Sequence, residues 1–255
     1  MTGSNDVLHP GGMQAPAPSP SSPPSAVAAV VARARSVLFD FDGPVCGLFA
    51  DYPIERTARR VHTALAAGFD LAGLPIGTDP HGILRSVARR AARSPLALAA
   101  LRRAGSILTD AEHEAARGAS LAPHVGELIG RMAERGLSLA ITSNNAAGPV
   151  HDFLRLAGLD HHFAGRIFGR SPDDPALMKP HPDCVDRALA ALGARPEETL
   201  LLGDSVVDAQ AAGERGVTFI GYATKPWKAE ELYAAGAAWV VDDHRTLAAA
   251  FAPAG

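Results

Sequence analysis

SVLFDFDGPV, residues 36–45, decides the fold. Its compact apolar start reads as a strand buried on both faces; it stops at Gly43 and Pro44 and carries Asp40 and Asp42 at its C-terminal end. Runs of the same type follow at SLAIT (138–142), GRIFG (165–169), TLLLG (199–203), VTFIGY (217–222) and AAWVV (237–241), each preceded by a stretch of helical character. That alternation predicts an α/β fold, a mostly parallel sheet with helices on both faces. Residues 52–122 break the pattern. They hold no strand but contain amphipathic stretches at 54–67, 82–93, 95–104 and 110–118, the last expected to begin with a capping box of Thr109 and Glu112. A further helix is expected at 124–135.

The predicted organisation is therefore a catalytic core from 35–51 and 123–255, interrupted by an all-helical insert at 52–122. Residues 1–34 read as a disordered leader, because their Pro, Ser and Ala repeats cannot offset the entropy of ordering. The insert's own core is expected from Leu65, Leu84, Leu98 and Leu101, and Trp227 and Trp239 are expected to pack the region beyond the last strands.

Composition narrows the function. The net charge is -3 with no block of like charge, which argues against a nucleic-acid arm or a polybasic membrane patch. No run of about 20 apolar residues suggests a membrane span, and the N-terminus lacks a signal-peptide profile. Two cysteines, Cys46 and Cys184, are too few for a disulfide scaffold, so a cytoplasmic location is expected, with Cys46 a packing residue. The histidines show no metal-ligand spacing, and the adjacent His161 and His162 are expected to face apart.

Four segments fall at the C-terminal ends of strands or in the loops after them, where open parallel sheets bind ligands. They are VLFDFDGPV (37–45), AITSNN (140–145), MKPHPD (178–183) and LLLGDSVVDA (200–209). Together they supply two carboxylates, hydroxyls with amides, a lysine and two more carboxylates. A phosphoryl group bound with Mg²⁺ requires such a set: the hard cation takes oxygen ligands, while cationic and neutral donors hold the phosphate oxygens. Two residues apart on extended backbone, Asp40 and Asp42 project the same way, so one can attack while the other shuttles the proton. Singly each motif has a plainer reading: a turn carboxylate, a helix N-cap at Asp204 or Ser143, a surface lysine.

In this order the four segments resemble the motifs of the haloacid dehalogenase-like hydrolase superfamily, over about residues 36–222. The resemblance implies a Rossmann-like core and an insert placed like the C1 cap of its phosphoglycolate phosphatase and beta-phosphoglucomutase-like members. It implies Asp40 as nucleophile and Asp42 as general acid/base. Ser143, with Asn144, and Lys179 would bind the substrate phosphate, Thr142 being the alternative register. Asp40, Asp42 (through its carbonyl), Asp204 and Asp208 would serve the Mg²⁺ site, Asp208 indirectly. The expected activity is a Mg²⁺-dependent phosphatase acting on a small phosphorylated metabolite through an aspartyl-phosphate. A sugar phosphomutase, or a non-catalytic protein of the same fold, is the alternative. Pro44 departs from the Thr or Val common at that position and removes an amide donor. Insert residues that could select the leaving group include Tyr52, Arg56, Arg59, His62, His81 and Arg85, with the GTDPHG loop (77–82) foremost.

Overall fold

The computed structural model describes residues 25–72, 77, 79–90 and 94–251. Six parallel strands form one sheet in the order β3-β2-β1-β4-β5-β6. They are β1 (Ser36–Phe39), β2 (Ser138–Thr142), β3 (Ile167–Phe168), β4 (Thr199–Gly203), β5 (Thr218–Tyr222) and β6 (Trp239–Val241). The central strands are buried almost end to end and mainly apolar because both faces are covered, as parallel sheets require. Phe39, Ile141, Leu202 and Trp239 belong to one buried layer, while Leu38, Ala140, Leu201 and Phe219 belong to the other. All six strands stand where the alternating pattern puts them. The chain order reverses across β1, whose neighbours are β2 and β4, so the strand ends flanking it open into the ligand-binding crevice of the fold.

Helix α1 (Ser25–Arg33) corrects the expected leader. Val27 and Val31, one helical turn apart, bury themselves in the core beside β1, so ordered structure starts well before residue 34. Residues 1–24 lie outside the described residues.

Between β1 and β2 come α2 (Ile54–Ala66), α3 (Pro80–Ala88), α4 (Pro95–Gly118) and α5 (Val125–Glu134). Helices α2 to α4 share a separate apolar cluster that includes Val61, Leu65, Leu84, Val87, Leu101 and Leu108. Leu98, expected in that cluster, is an exposed residue of α4. The expected helices 95–104 and 110–118 are one continuous helix, and the Thr109/Glu112 capping box does not exist. Thr109 lies in mid-helix, its hydroxyl donating to the Gly105 carbonyl one turn back. Glu112 is fully buried and bonded elsewhere. The expected stretch 82–93 starts earlier, at Pro80 behind the N-cap Asp79, whose carboxylate accepts from the Gly82 amide; residues 91–93 lie outside the described ones.

The remaining helices are α6 (Ala147–Leu156), α7 (Asp160–Phe163), α8 (Asp183–Leu192), α9 (Val206–Gly213), α10 (Pro226–Ala234) and α11 (His244–Ala250). Trp239 is fully buried in β6, whereas Trp227 at the start of α10 is exposed, contrary to expectation. His161 and His162 do not face apart: their rings lie 3.9 Å from centroid to centroid on the single turn of α7. Among the described residues no helix is long and apolar enough to cross a membrane.

Candidate active site

Strand β1 delivers Asp40 to the crevice. The Asp40 amide donates to the Leu202 carbonyl at 2.8 Å, so the main chain stays in register with β4 for one residue beyond the strand. The chain then turns sharply: the amides of Val45 and Cys46 both donate to the Phe41 carbonyl, and the Gly43 amide donates to the Cys46 carbonyl. Gly43 adopts φ +111°, and a Cβ there would meet the Asp204 carboxylate at 2.5 Å. Only glycine lets this turn approach so closely. Pro44 gives up an amide, but its carbonyl accepts from His244 Nε2 at 2.7 Å. The His244 ring is stacked 4.3 Å from that of Tyr222, so an element from the far end of the chain holds the turn after Asp42.

The Asp42 Oδ1 accepts from the Leu48 amide at 2.8 Å. Burial pushes its carboxyl up to about 6, against that hydrogen bond. Cys46 is buried with its thiol pushed up by desolvation, which leaves it a packing residue rather than a thiolate.

Lys179 comes from the loop before α8 and is buried among groups from three other segments. Its Nζ lies 2.8 Å from Asp40 Oδ1, 2.5 Å from Asp208 Oδ1 and 2.9 Å from the Thr142 carbonyl. Burial opposes a charge on Lys179, but Asp208 and Asp40 outweigh it and keep the ammonium protonated. Asn144 fixes the lysine's backbone, accepting from its amide at 2.7 Å and donating to its carbonyl at 3.3 Å. Arg85 of α3 also donates to that carbonyl.

Ser143 is buried at the end of β2, its hydroxyl donating to Asn145 Oδ1 and accepting from the Asn145 amide. The Thr142 hydroxyl is buried without a hydrogen-bond partner. Asp204 and Asp208 follow β4. Ser205, not Asp204, caps α9, and Asp208 is a buried residue of its first turn, accepting from the Ser205 amide and hydroxyl. Gly203 is required here too, since a Cβ would lie 2.7 Å from that of Asp208.

Carboxylate oxygens of Asp40, Asp204 and Asp208 converge within 4.8 Å of one another, while the Asp42 carboxylate stays outside this group. Burial first, and then the neighbouring carboxylates, push Asp40 and Asp204 above the usual carboxylate range. Three crowded oxygen donors suit a hard divalent cation, which would relieve their mutual repulsion. Lys228 of α10, not foreseen in the sequence, reaches Asp204 Oδ2 at 2.5 Å. A cavity of about 380 Å³ opens beside this pair, lined by Gly43, Gly47, Tyr222 and Lys228 among others.

Thus Asp40, Lys179, Asp204 and Asp208 gather in one cluster, Ser143 and Asn144 stand on the adjoining loop, and the Asp42 carboxylate lies outside the carboxylate group. Of the insert residues singled out, His81 and Arg85 reach the core: His81 Nε2 lies 3.4 Å from the Asn145 side-chain amide, and Arg85 binds the Lys179 carbonyl. Arg56 and Arg59 instead line a separate groove with Arg60 and Arg103, and Tyr52 pairs with Glu114. Sequence reasoning missed Asn145, Arg170 and Lys228 as neighbours of the site and misread Glu112. An arginine after a strand carries no motif, and Glu112 matched a capping pattern that helix continuity overrode.

The chain resembles a pyrophosphatase PpaX of Oceanobacillus iheyensis, 39% identical over 83 residues, 32% of this chain and 37% of the relative. It also resembles a phosphoglycolate phosphatase of Salmonella choleraesuis, 35% identical over 107 residues, 42% of this chain and 41% of the relative. The matched region thus spans about two fifths of the length of these curated relatives. A solved structure of a HAD family hydrolase from Deinococcus radiodurans, with bound phosphate and sodium, covers 88% of this chain and 100% of its own at 27% identity, with TM-score 0.54. The profile of the haloacid dehalogenase-like hydrolases matches residues 34–216, a span that runs from β1 past Asp208. This chain belongs to the haloacid dehalogenase-like hydrolase family.

Proposed function

We propose that the protein is a Mg²⁺-dependent phosphoric monoester hydrolase acting on a small phosphorylated metabolite through an aspartyl-phosphate on Asp40. The observation that carries this reading is the convergence of Asp40, Asp204 and Asp208 around Lys179 at the end of parallel strands. The phosphatase names of the curated relatives, and the phosphate bound in the Deinococcus radiodurans structure, support it.

Asp40, Asp204 and Asp208, with the Asp42 carbonyl, would hold the Mg²⁺. When bound, the ion supplies positive charge that lowers repulsion between a carboxylate nucleophile and a phosphate dianion. Lys179 would serve the same end with its own charge, and its ion pair keeps Asp40 aimed. Ser143 and Asn144 would turn donors to the phosphoryl oxygens, the Ser143 hydroxyl giving up its bond to Asn145 Oδ1 to do so. In the first step an Asp40 carboxylate oxygen bonds to phosphorus as the ester P–O bond breaks. The leaving alkoxide takes its proton from Asp42. In the second, water attacks the phosphoryl group, gives a proton to the Asp42 carboxylate, and releases orthophosphate with Asp40 restored. Held up at about 6, Asp42 exchanges a proton near neutrality more readily than an ordinary aspartate, as both steps require.

Phosphate release from an aryl phosphate and a panel of metabolite phosphates, with Mg²⁺ and with EDTA, tests the reading. Release should require the metal and fall on the order of 10³-fold or more in Asp40→Asn. Metal-independent release, full activity in that variant, or no release from any ester by folded protein would overturn it.

A further inference from the structure

Glu112 is a fully buried carboxylate in the insert, facing the core and used by no step above. Its partner Arg170, just after β3, has a side chain only 3% exposed. Arg170 Nη1 donates to Oε1 at 2.7 Å and Nη2 to Oε2 at 3.3 Å, a two-pronged pair. His81 Nε2 also lies 2.8 Å from Oε1, while the Ala146 amide donates to Oε2 at 2.9 Å. Burial alone would push the Glu112 carboxyl up, but Arg170 and His81 outweigh it and hold it down at about 2. A buried ion pair is a poor source of net stability compared with apolar packing, yet it demands one geometry of everything bonded to it.

What it is bonded to is the loop after β2. Arg170 Nη1 donates to the Asn144 carbonyl at 2.8 Å, the Arg170 amide donates to the Asn145 carbonyl, and Glu112 takes the Ala146 amide. The Asn145 side-chain amide, 3.4 Å from Glu112 Oε1, belongs to the residue whose Oδ1 accepts from the Ser143 hydroxyl. Gly169 closes the other side: a Cβ there would meet the Asn145 carbonyl at 2.5 Å. Asn144 in turn grips the backbone of Lys179. A chain of contacts therefore runs from helix α4 of the insert through residues 143–146 to the lysine beside Asp40.

We propose that Glu112 and Arg170 are positioning residues that set the phosphate-binding loop 143–146, so that this half of the site is built only when α4 is seated on the core. The inference rests on the phosphate-binding role proposed for that loop. Neither side chain touches substrate, since both are enclosed by protein; they act through Asn144, Asn145 and Ala146.

Two variants test it. Glu112→Gln keeps the shape and removes the charge. The double variant Glu112→Leu with Arg170→Met leaves no unpaired buried charge and so guards against simple unfolding. Leu65→Ala, in the insert's own apolar cluster, supplies a control destabilised without touching the loop. Both test variants should weaken orthophosphate inhibition about tenfold or more, because small misplacement of a binding group has large effects. KM should rise with it, and amide hydrogen exchange at Asn145 and Ala146 should quicken well beyond that in Leu65→Ala. Unchanged orthophosphate inhibition and exchange, at a stability loss matching the control, would overturn the proposal. If the wild type neither hydrolyses esters nor binds orthophosphate, the phosphatase reading itself fails. In that event unchanged exchange would also refute the anchoring, and quickened exchange would uphold it alone.

Discussion

At the residue scale, two small positions govern how closely the carboxylates can gather. Gly43 has to be glycine twice over, for its positive φ and for the Asp204 carboxylate that occupies the place of a Cβ. Gly43→Ala should cost at least about 1 to 2 kcal/mol in urea denaturation from backbone strain alone. By displacing Asp204 it should also raise the Mg²⁺ concentration needed for half-maximal turnover, and a variant with wild-type Mg²⁺ dependence would contradict this account of the turn. His244 is a different case. Its Nε2 must carry a proton to donate to the Pro44 carbonyl, and burial depresses its pKa to about 4, which keeps the ring neutral near pH 7. Between pH 6.5 and 4 the unfolded chain takes up a proton that the folded chain refuses. The stability tied to this histidine is therefore complete above 6.5 and declines as pH falls toward 4. Compared with His244→Gln, the wild type should lose up to about 3 kcal/mol more over that window, as read by denaturation at pH 7 and pH 4.5. Parallel losses in the two proteins would show that His244 is not buried in this way.

At the element scale, the insert shows where local patterns mislead. Thr109 and Glu112 have capping-box spacing, but Pro95–Gly118 remains one helix because the apolar stripe of Ala97, Leu101, Ala104, Leu108 and Ala111 continues unbroken through them. Gly105 does not interrupt it, since one glycine costs a helix only about 1 kcal/mol relative to alanine. Helix α3 does carry a genuine cap, Asp79, and it is the helix that presents His81 to Asn145 and Arg85 to the Lys179 carbonyl of the core. Asp79→Ala should destabilise the protein by about 1 kcal/mol in chemical denaturation. Fraying of the first turn should also loosen the contact of His81 with Glu112, visible as a change in the His81 ring signals by NMR. Unaltered signals would mean that packing, rather than the cap, places this histidine.

At the scale of the whole molecule, Lys179 is the point where distant parts of the chain become one site, joining Asp40 after β1, Thr142 of β2 and Asp208 of α9. Lys179→Met in EDTA should cost about 3 to 5 kcal/mol, because it leaves buried carboxylates without a countercharge. Adding Asp208→Asn should recover part of that loss, whereas additive losses in the double variant would deny the coupling. Much of this architecture is readable along the chain. The strands announce themselves because a parallel sheet covered on both faces needs mainly apolar runs, and Asp40, Ser143 and Asp204 stand at their ends, with Lys179 in the loop between β3 and α8. The order of the motifs predicts Asp40 and Asp208 to be more than turn or helix-surface carboxylates, and both are buried beside Lys179. What the chain alone does not disclose is which polar groups meet across its fold. That Glu112 would pair with Arg170, Lys228 with Asp204 and His244 with the Pro44 carbonyl depends on contacts between segments 24 to 200 residues apart. Apolar periodicity is a local property, because it reports which face of one element leaves water. The pairing of buried polar groups is decided only when the elements pack, since each such group must find its partner in whatever surface arrives opposite it.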